Sequence, residues 1–263
     1  MTSGRGTGAA DHPTDDAFLG GALQILQPRS GYRAGLDAVM LAAAVPAPRS
    51  GNVRALDVGA GVGTAGLCLA RRVSEAIVTL FEREPALAAL AAENADRNDL
   101  GDRVAVAQGA VGLVAGDLRA LGLAEESFDH VLANPPYHAT GAGTAAPDAL
   151  KAGSHAMAAD ALEDWARFMA RMARPGGTAT LIHKADALPQ LLEALQRRFG
   201  GLRLLPLHPR ERAPAHRIIV QGTKGSRAPL TILPGFVLHG AGDAFAPAAR
   251  AILHDGAALP LEP

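Results

Sequence analysis

The sequence predicts an α/β fold, an open sheet that is mostly parallel with helices between its strands, on three observations. Short apolar runs bounded by Gly, Pro or Asp recur along the chain; segments of helical periodicity separate them; and 263 residues with 48% hydrophobic side chains can fill a sizeable core. Residues 1–16 are polar and partly acidic and read as a disordered tail without the apolar run of a signal peptide. Residues 17–50 read as an extension with a hairpin around Gly20-Gly21 and a helix over 36–45. Seven strands follow, at 53–59, 76–82, 103–109, 127–133, 177–183, 202–208 and 216–222. The helices between them span 64–73, 85–98, 160–173 and 186–199. Pro85 suits the first turn of its helix, and Arg174-Pro175-Gly176-Gly177 is a strong break leading into the fifth strand. The whole of 17–263 is expected to be one domain.

Composition excludes several classes. A single cysteine, Cys68, rules out an internal disulfide framework and any multi-thiolate metal site, and the histidines show no metal spacing, so no metal is assigned. A reduced, cytoplasmic setting is expected. The most apolar window, 34–48, is interrupted by Asp37 and Pro46 and falls far short of the roughly 20 residues that a membrane span requires. The net charge of -1 excludes a uniformly basic protein, yet residues 151–263 carry 14 Lys and Arg against 9 Asp and Glu. Arg197, Arg198, Arg203, Arg210, Arg212, Arg217, Lys224 and Arg227 face a single acid, Glu211, within that cluster.

The first strand runs into Asp57-Val58-Gly59-Ala60-Gly61-Val62-Gly63 and then a helix. Glycines let the backbone turn tightly and approach a ligand, beside the free N–H groups of a helix start. Gly61, Gly63 and Gly66 spell the dinucleotide fingerprint, a weak match that plain packing also explains, and no Lys-Ser/Thr follows to make a P-loop. Glu82 closes the second strand where an acid can bond both ribose hydroxyls, or simply face solvent. Asp57 lies inside an apolar strand and needs a partner, either loop N–H groups or the cationic part of a ligand.

The fourth strand ends in Asn134-Pro135-Pro136-Tyr137. Two prolines fix two φ angles and make a rigid loop at the carboxyl end of a strand, where sheets of this type bind ligands. An exocyclic or amide NH2 is a poor nucleophile because its lone pair is delocalised. The Asn134 side-chain oxygen and the Pro135 carbonyl can accept its two N–H bonds and favour the tetrahedral nitrogen that attacks, while Tyr137 stacks on the planar group.

These residues together resemble the class I S-adenosylmethionine-dependent methyltransferases that modify exocyclic or amide nitrogens. The run 24–41, QILQPRSGYRAGLDAVML, and Lys224-Gly225-Ser226-Arg227-Ala228-Pro229-Leu230 are similar, more narrowly, to the bacterial tRNA (adenine-N6) methyltransferase family acting on a valine tRNA. The resemblance spans roughly 18–260. It implies a Rossmann-like class I methyltransferase sheet of seven strands with helices on both faces and a C-terminal antiparallel hairpin, S-adenosyl-L-methionine above the first strands, and direct methyl transfer. Asp57, Gly59, Ala60 and Gly61 would surround the methionine part and Glu82 the ribose, with Asn134 beside the cofactor. Tyr32, Arg33 and Asp37 would close over the pocket. Many relatives place an acid after the third strand for the adenine amino group; here that place reads Gln108-Gly109-Ala110, leaving backbone near Ala110, or Asp117, to serve.

Arg210, Arg212, Lys224 and Arg227 are expected to track a phosphate backbone, with Pro136, Tyr137 and His138 near the target base, which points to RNA, and to tRNA first. A release-factor type glutamine-N5 methyltransferase uses a similar loop but resembles a two-domain build, whereas only 56 residues precede Asp57 here. A non-catalytic RNA-binding module on the same fold is the reading from a different class. Oligomeric state is not legible in the sequence.

Overall fold

The structure, a computed structural model, describes residues 12–30, 33–48, 50–136 and 149–261, the side chains of 149–160 excepted. β1 (Thr14–Phe18) and β2 (Leu23–Gln27) form an antiparallel hairpin turned at Leu19–Gly21, and α1 (Leu36–Ala44) follows. Then come β3 (Val53–Val58), α2 (Thr64–Arg72), β4 (Ala76–Glu82), α3 (Pro85–Arg97), β5 (Val104–Gln108), α4 (Ala115–Ala120) and β6 (Phe128–Ala133). The chain continues through α5 (Ala149–Met172), β7 (Ala173–Lys184), α6 (Leu188–Gln196), β8 (Phe199–Arg210), β9 (Arg217–Lys224), β10 (Thr231–Ile232), β11 (Phe236–His239) and α7 (Pro247–Asp255).

The main sheet has the order β10-β8-β9-β7-β6-β3-β4-β5, with β11 also on β8. β3 to β7 are parallel, and β9 runs antiparallel between β7 and β8, which is the expected antiparallel hairpin. All seven expected strands are present within a few residues. β10 and β11 extend the outer edge beyond them; two and four residues long, they are too short for periodicity to reveal. The same brevity hides α4. The helix α7 is an addition to the expected elements, although Pro247 at its start and Gly256 just past its end are local signals for it.

Helices cover both faces. One apolar cluster joins α1, α2, α3 and α7 to the sheet; the other joins α4, α5 and α6 to it. The central strands are buried on both sides, which explains why β3 and β4 read as near-continuous apolar runs rather than alternating ones.

The expectation that the disordered tail reaches residue 16 is corrected by the structure: Thr14–Asp16 pair with Ile25–Gln27 in β1. Their polarity marks an exposed strand whose acids are held by ion pairs, Asp15 to Arg97 at 2.7 Å and Asp16 to Arg33 at 2.7 Å. Residues 1–11 lie outside the described residues. The hairpin is fastened to the main sheet by two buried amides, Asn94 on α3 and Asn98 one turn on at its end. Asn94 accepts from Leu26 N–H (2.8 Å) and donates to the Leu26 carbonyl (3.0 Å) and the Val62 carbonyl (3.1 Å). Asn98 accepts from Gln24 N–H (2.9 Å) and donates to the Gln24 carbonyl (2.8 Å). The outer edge of β2 is thus paired with side chains as it would be with another strand, and Asn94 ties it to the glycine-rich turn.

Candidate active site at the carboxyl edge of the sheet

The turn after β3 is held almost entirely by its own surroundings. Gly59, Gly61 and Gly63 have φ of 65, 58 and 87, left-handed values that favour glycine. Gly59 and Ala60 N–H groups donate to the Phe81 carbonyl at 2.7 and 3.1 Å. Glu82, at the end of β4 and 6% exposed, uses one carboxylate oxygen to accept from Gly61 N–H (2.8 Å) and the other to accept from Arg83 and Glu84 N–H (both 2.9 Å). Three of its roughly four acceptor positions are therefore engaged, and one remains for a ligand hydroxyl. Gly66 serves packing: a Cβ there would meet Leu80 Cδ2 at 2.3 Å.

Asp57 is buried beneath the turn and accepts from Gly66 N–H at 2.8 Å. Burial above all, and the Glu82 charge to a lesser extent, raise its pKa from 3.8 to about 7 against the opposing pull of the Gly66 bond. A cation placed beside it would relieve both penalties. Cys68, behind it on α2, has its thiol pushed up to about 12 by burial and by the Asp57 charge, and is inert.

β6 runs parallel to β3 with Val58 paired to Ala133, so Gly59 and Asn134 leave the sheet side by side. Pro135 is buried and Pro136 exposed. The Asn134 side-chain oxygen is buried and has no hydrogen-bond partner among the described residues. An orphaned buried acceptor costs about 1–3 kcal/mol, and at this strand end, beside the glycine turn, the Asn134 oxygen is placed where it could accept from a ligand donor.

The remaining predicted residues are distributed unevenly. Tyr32, Tyr137 and His138 lie outside the described residues. Arg33 is tied to the hairpin, donating to Thr14 Oγ1 (2.8 Å), the Pro28 carbonyl (3.0 Å) and Asp16 (2.7 Å). Asp37 pairs with Arg217 at 2.8 Å, joining the start of α1 to the start of β9. Ala110 follows β5, whose last residue Gln108 pairs with Glu82, and Asp117 is exposed on α4.

The basic cluster does not form one surface. Lys184 pairs with Arg217 at one end of the β7–β9 ladder and Thr178 with Thr223 at the other, so Arg210, Arg212 and Arg217 stand at the edge carrying Asn134. Lys224 stands at the opposite edge, bonded to Glu126 (2.7 Å) and the Ala173 carbonyl (2.9 Å), with exposed Arg227 three residues on. The expectation that Lys224 and Arg227 lie beside the other arginines is corrected by the strand direction: eight residues of β9 carry them to the far edge. Several members are also neutralised, Arg197 by Glu193, Arg198 by Glu163 and Arg210 by Asp243. Exposed Arg212, in the β8–β9 turn, makes no ion pair with any described residue.

One contributor is invisible in the sequence pattern. Trp165 of α5 sets its indole against Gly59, where a Cβ would lie 2.3 Å from Trp165 Cη2. No local signal distinguishes that tryptophan from a core residue of an amphipathic helix.

Residues 35–163 match the methyltransferase small domain family. A solved structure of a predicted O-methyltransferase from Agrobacterium tumefaciens aligns with a TM-score of 0.71 and 33% identity, covering 85% of this chain and 98% of that one. The chain belongs to the class I S-adenosylmethionine-dependent methyltransferases. Two curated relatives are named tRNA1(Val) (adenine(37)-N6)-methyltransferase. That of Porphyromonas gingivalis is 32% identical over 127 residues, 48% of this chain and 48% of its own length. That of Escherichia coli is 33% identical over 120 residues, 45% and 46%. The chain thus spans about half the length of the curated relatives it matches. S-adenosyl-L-methionine is the cofactor of this methyltransferase, and the residues present fit it: a left-handed glycine turn, an acid with an acceptor position to spare, and a buried carboxyl that a cation would ionise.

Proposed function

We propose that this protein transfers the methyl group of S-adenosyl-L-methionine to the N6 amino group of an adenine in tRNA, acting in the cytoplasm. The observation that carries the reading is the buried side-chain oxygen of Asn134, without a partner among the described residues, beside the glycine turn. The names of the curated relatives support the tRNA adenine, and exposed Arg212 at the same edge, without an ion pair among the described residues, supports a phosphate-bearing substrate.

The bound cofactor supplies an electrophilic methyl group on a sulfonium. Asn134 accepts one N–H of the target amine and the Pro135 carbonyl the other, turning the nitrogen lone pair out of conjugation. Asp57 and the glycine turn hold the donor, and Glu82 fixes both the turn and the ribose. The donor would supply a methyl group whose S–C bond is exchanged for an N–C bond, with S-adenosylhomocysteine as the leaving group, and the extra proton on nitrogen would pass to water, so no dedicated base is needed. This distinguishes an amine from a hydroxyl acceptor, which has a single proton and must lose it to a base before or during attack.

Labelled S-adenosylmethionine incubated with the protein and total tRNA, ribosomal RNA or release factors tests the reading. Label in tRNA recovered as N6-methyladenosine supports it. Label only in release factors, as methylglutamine, replaces it with protein amide methylation, and a bound cofactor without label in any substrate favours a non-catalytic RNA-binding module.

A further inference from the structure

Trp165 is the single tryptophan of the chain. Its neighbours on α5, Leu162, Phe168 and Met169, are buried in the core, but the indole is half-buried and extends to the carboxyl edge. Measured from a Cβ built on Gly59, the ring apex Cη2 is nearest at 2.3 Å, with Cζ3 and Cζ2 behind it at 3.2 and 3.4 Å. The two flanking atoms are nearly equidistant and clearly farther, so the ring meets Gly59 edge first and its faces look sideways. Gly59 and Asn134 leave neighbouring strands, which lie about 4.8 Å apart. The indole therefore stands against the glycine turn that would hold the donor, one strand away from Asn134.

A leucine would fill a gap in a core equally well. An indole adds an electron-rich face that attracts cations. The methyl donor carries a positive sulfonium and its product a neutral thioether; amino acid, ribose and adenine are common to both. Asp57, Glu82 and the glycine turn meet those shared groups. We propose that Trp165 is a specificity-determining wall of the cofactor pocket, holding the cationic methyl donor in preference to the neutral thioether left after transfer. This rests on the assignment of the cofactor to this crevice. Its consequence is that each transfer weakens the hold on the spent cofactor and favours exchange.

Because there is one tryptophan, emission from the full chain reads this site without a label. Emission is expected to change strongly on titration with S-adenosylmethionine and less with S-adenosylhomocysteine. In calorimetric titrations, Trp165→Leu is expected to raise the Kd for S-adenosylmethionine about fivefold and that for S-adenosylhomocysteine less than about twofold, the scale of a cation–π contact near 1 kcal/mol. Trp165→Phe keeps most of the preference. Equal losses for both ligands show an indole that merely packs and overturn the proposal, as does unchanged emission while calorimetry reports bound cofactor. Should Trp165→Leu fail to fold, emission from the unaltered chain and the Phe variant's ligand ratio decide in its place. If the unaltered protein binds neither ligand, the cofactor assignment itself fails and the proposal falls with it.

Discussion

The turn after β3 and the loop after β6 leave the sheet side by side, yet they are built on opposite terms. In the first, Glu82 and the Phe81 carbonyl collect the turn's N–H groups and Asp57 holds Gly66, so the backbone is fixed before any ligand arrives. In the second, Asn134 keeps a buried oxygen without a partner among the described residues, beside a buried proline. Satisfying a polar group stabilises the fold, and leaving one unsatisfied stores an interaction for something else to complete. A binding surface gains from the first arrangement because a preset shape loses less entropy on association. A catalytic one gains from the second because the interaction is made only with the reacting group.

Asn134→Ala should separate the two most sharply. Turnover is expected to fall about 10²–10³-fold, the usual loss on removing one preorganised group at a reacting centre. Cofactor affinity should stay within about twofold by calorimetry, and the thermal midpoint should hold or rise, since an orphaned acceptor is removed. A clear loss of stability would show instead that this oxygen serves the fold.

Gly59→Ala attacks the satisfied loop. A left-handed residue with a Cβ costs about 1–2 kcal/mol, and at φ 65 this one also meets Trp165. Urea unfolding should show the loss, and cofactor binding should weaken about tenfold or more on the conversion of 1.4 kcal/mol per decade. Combining it with Trp165→Ala should recover part of the stability, a coupling of about 1 kcal/mol in the double-mutant cycle. Strict additivity would mean that the two residues do not touch.

Asp57 makes the satisfied loop sensitive to pH. In the folded chain its carboxyl keeps the proton to about pH 7, whereas the unfolded chain releases it near 3.8. The folded state therefore binds more protons across that window, and its contribution to stability falls as pH rises from 3.8 to about 7, then levels. The ammonium of the cofactor's amino-acid part favours the carboxylate, so affinity should climb by up to about tenfold per pH unit below 7 and flatten above. Asp57→Asn should abolish the climb in a calorimetric pH series; a slope that survives would place its origin elsewhere.

The smallest effects concern the edges of β9. Arg212→Ala should weaken tRNA binding a few-fold and reduce the salt slope by about one, as loss of one phosphate contact does, and Lys224→Ala should leave both unchanged. Equal effects in a filter-binding salt series would refute the division of the basic cluster between two edges.

Much of this is legible in the chain because the determinants are local. Strands buried on both faces show as apolar runs, left-handed turns show as glycines, and Asn134-Pro135-Pro136 fixes a loop through its own dihedrals. Asn94 and Asn98 are legible only in outline: a four-residue spacing shows that they share a helix face, but not that the face meets the open edge of β2. Arg33 and Asp37 sit near the right elements, with partners that sequence could not name.

The sequence by itself determined the order of the seven longer strands of the main sheet and of the helices α1, α2, α3, α5 and α6, the glycine turn, its acid and the Asn-Pro-Pro loop, since each depends on the conformational limits of residues adjacent in the chain. Only the tertiary structure decided that Trp165 reaches Gly59, that the Asn134 oxygen is left without a partner among the described residues, and that the basic segment splits between two edges. Those outcomes depend on how far-separated elements are registered, and strand direction, which carries Lys224 away from Arg212, is a property of the assembled sheet.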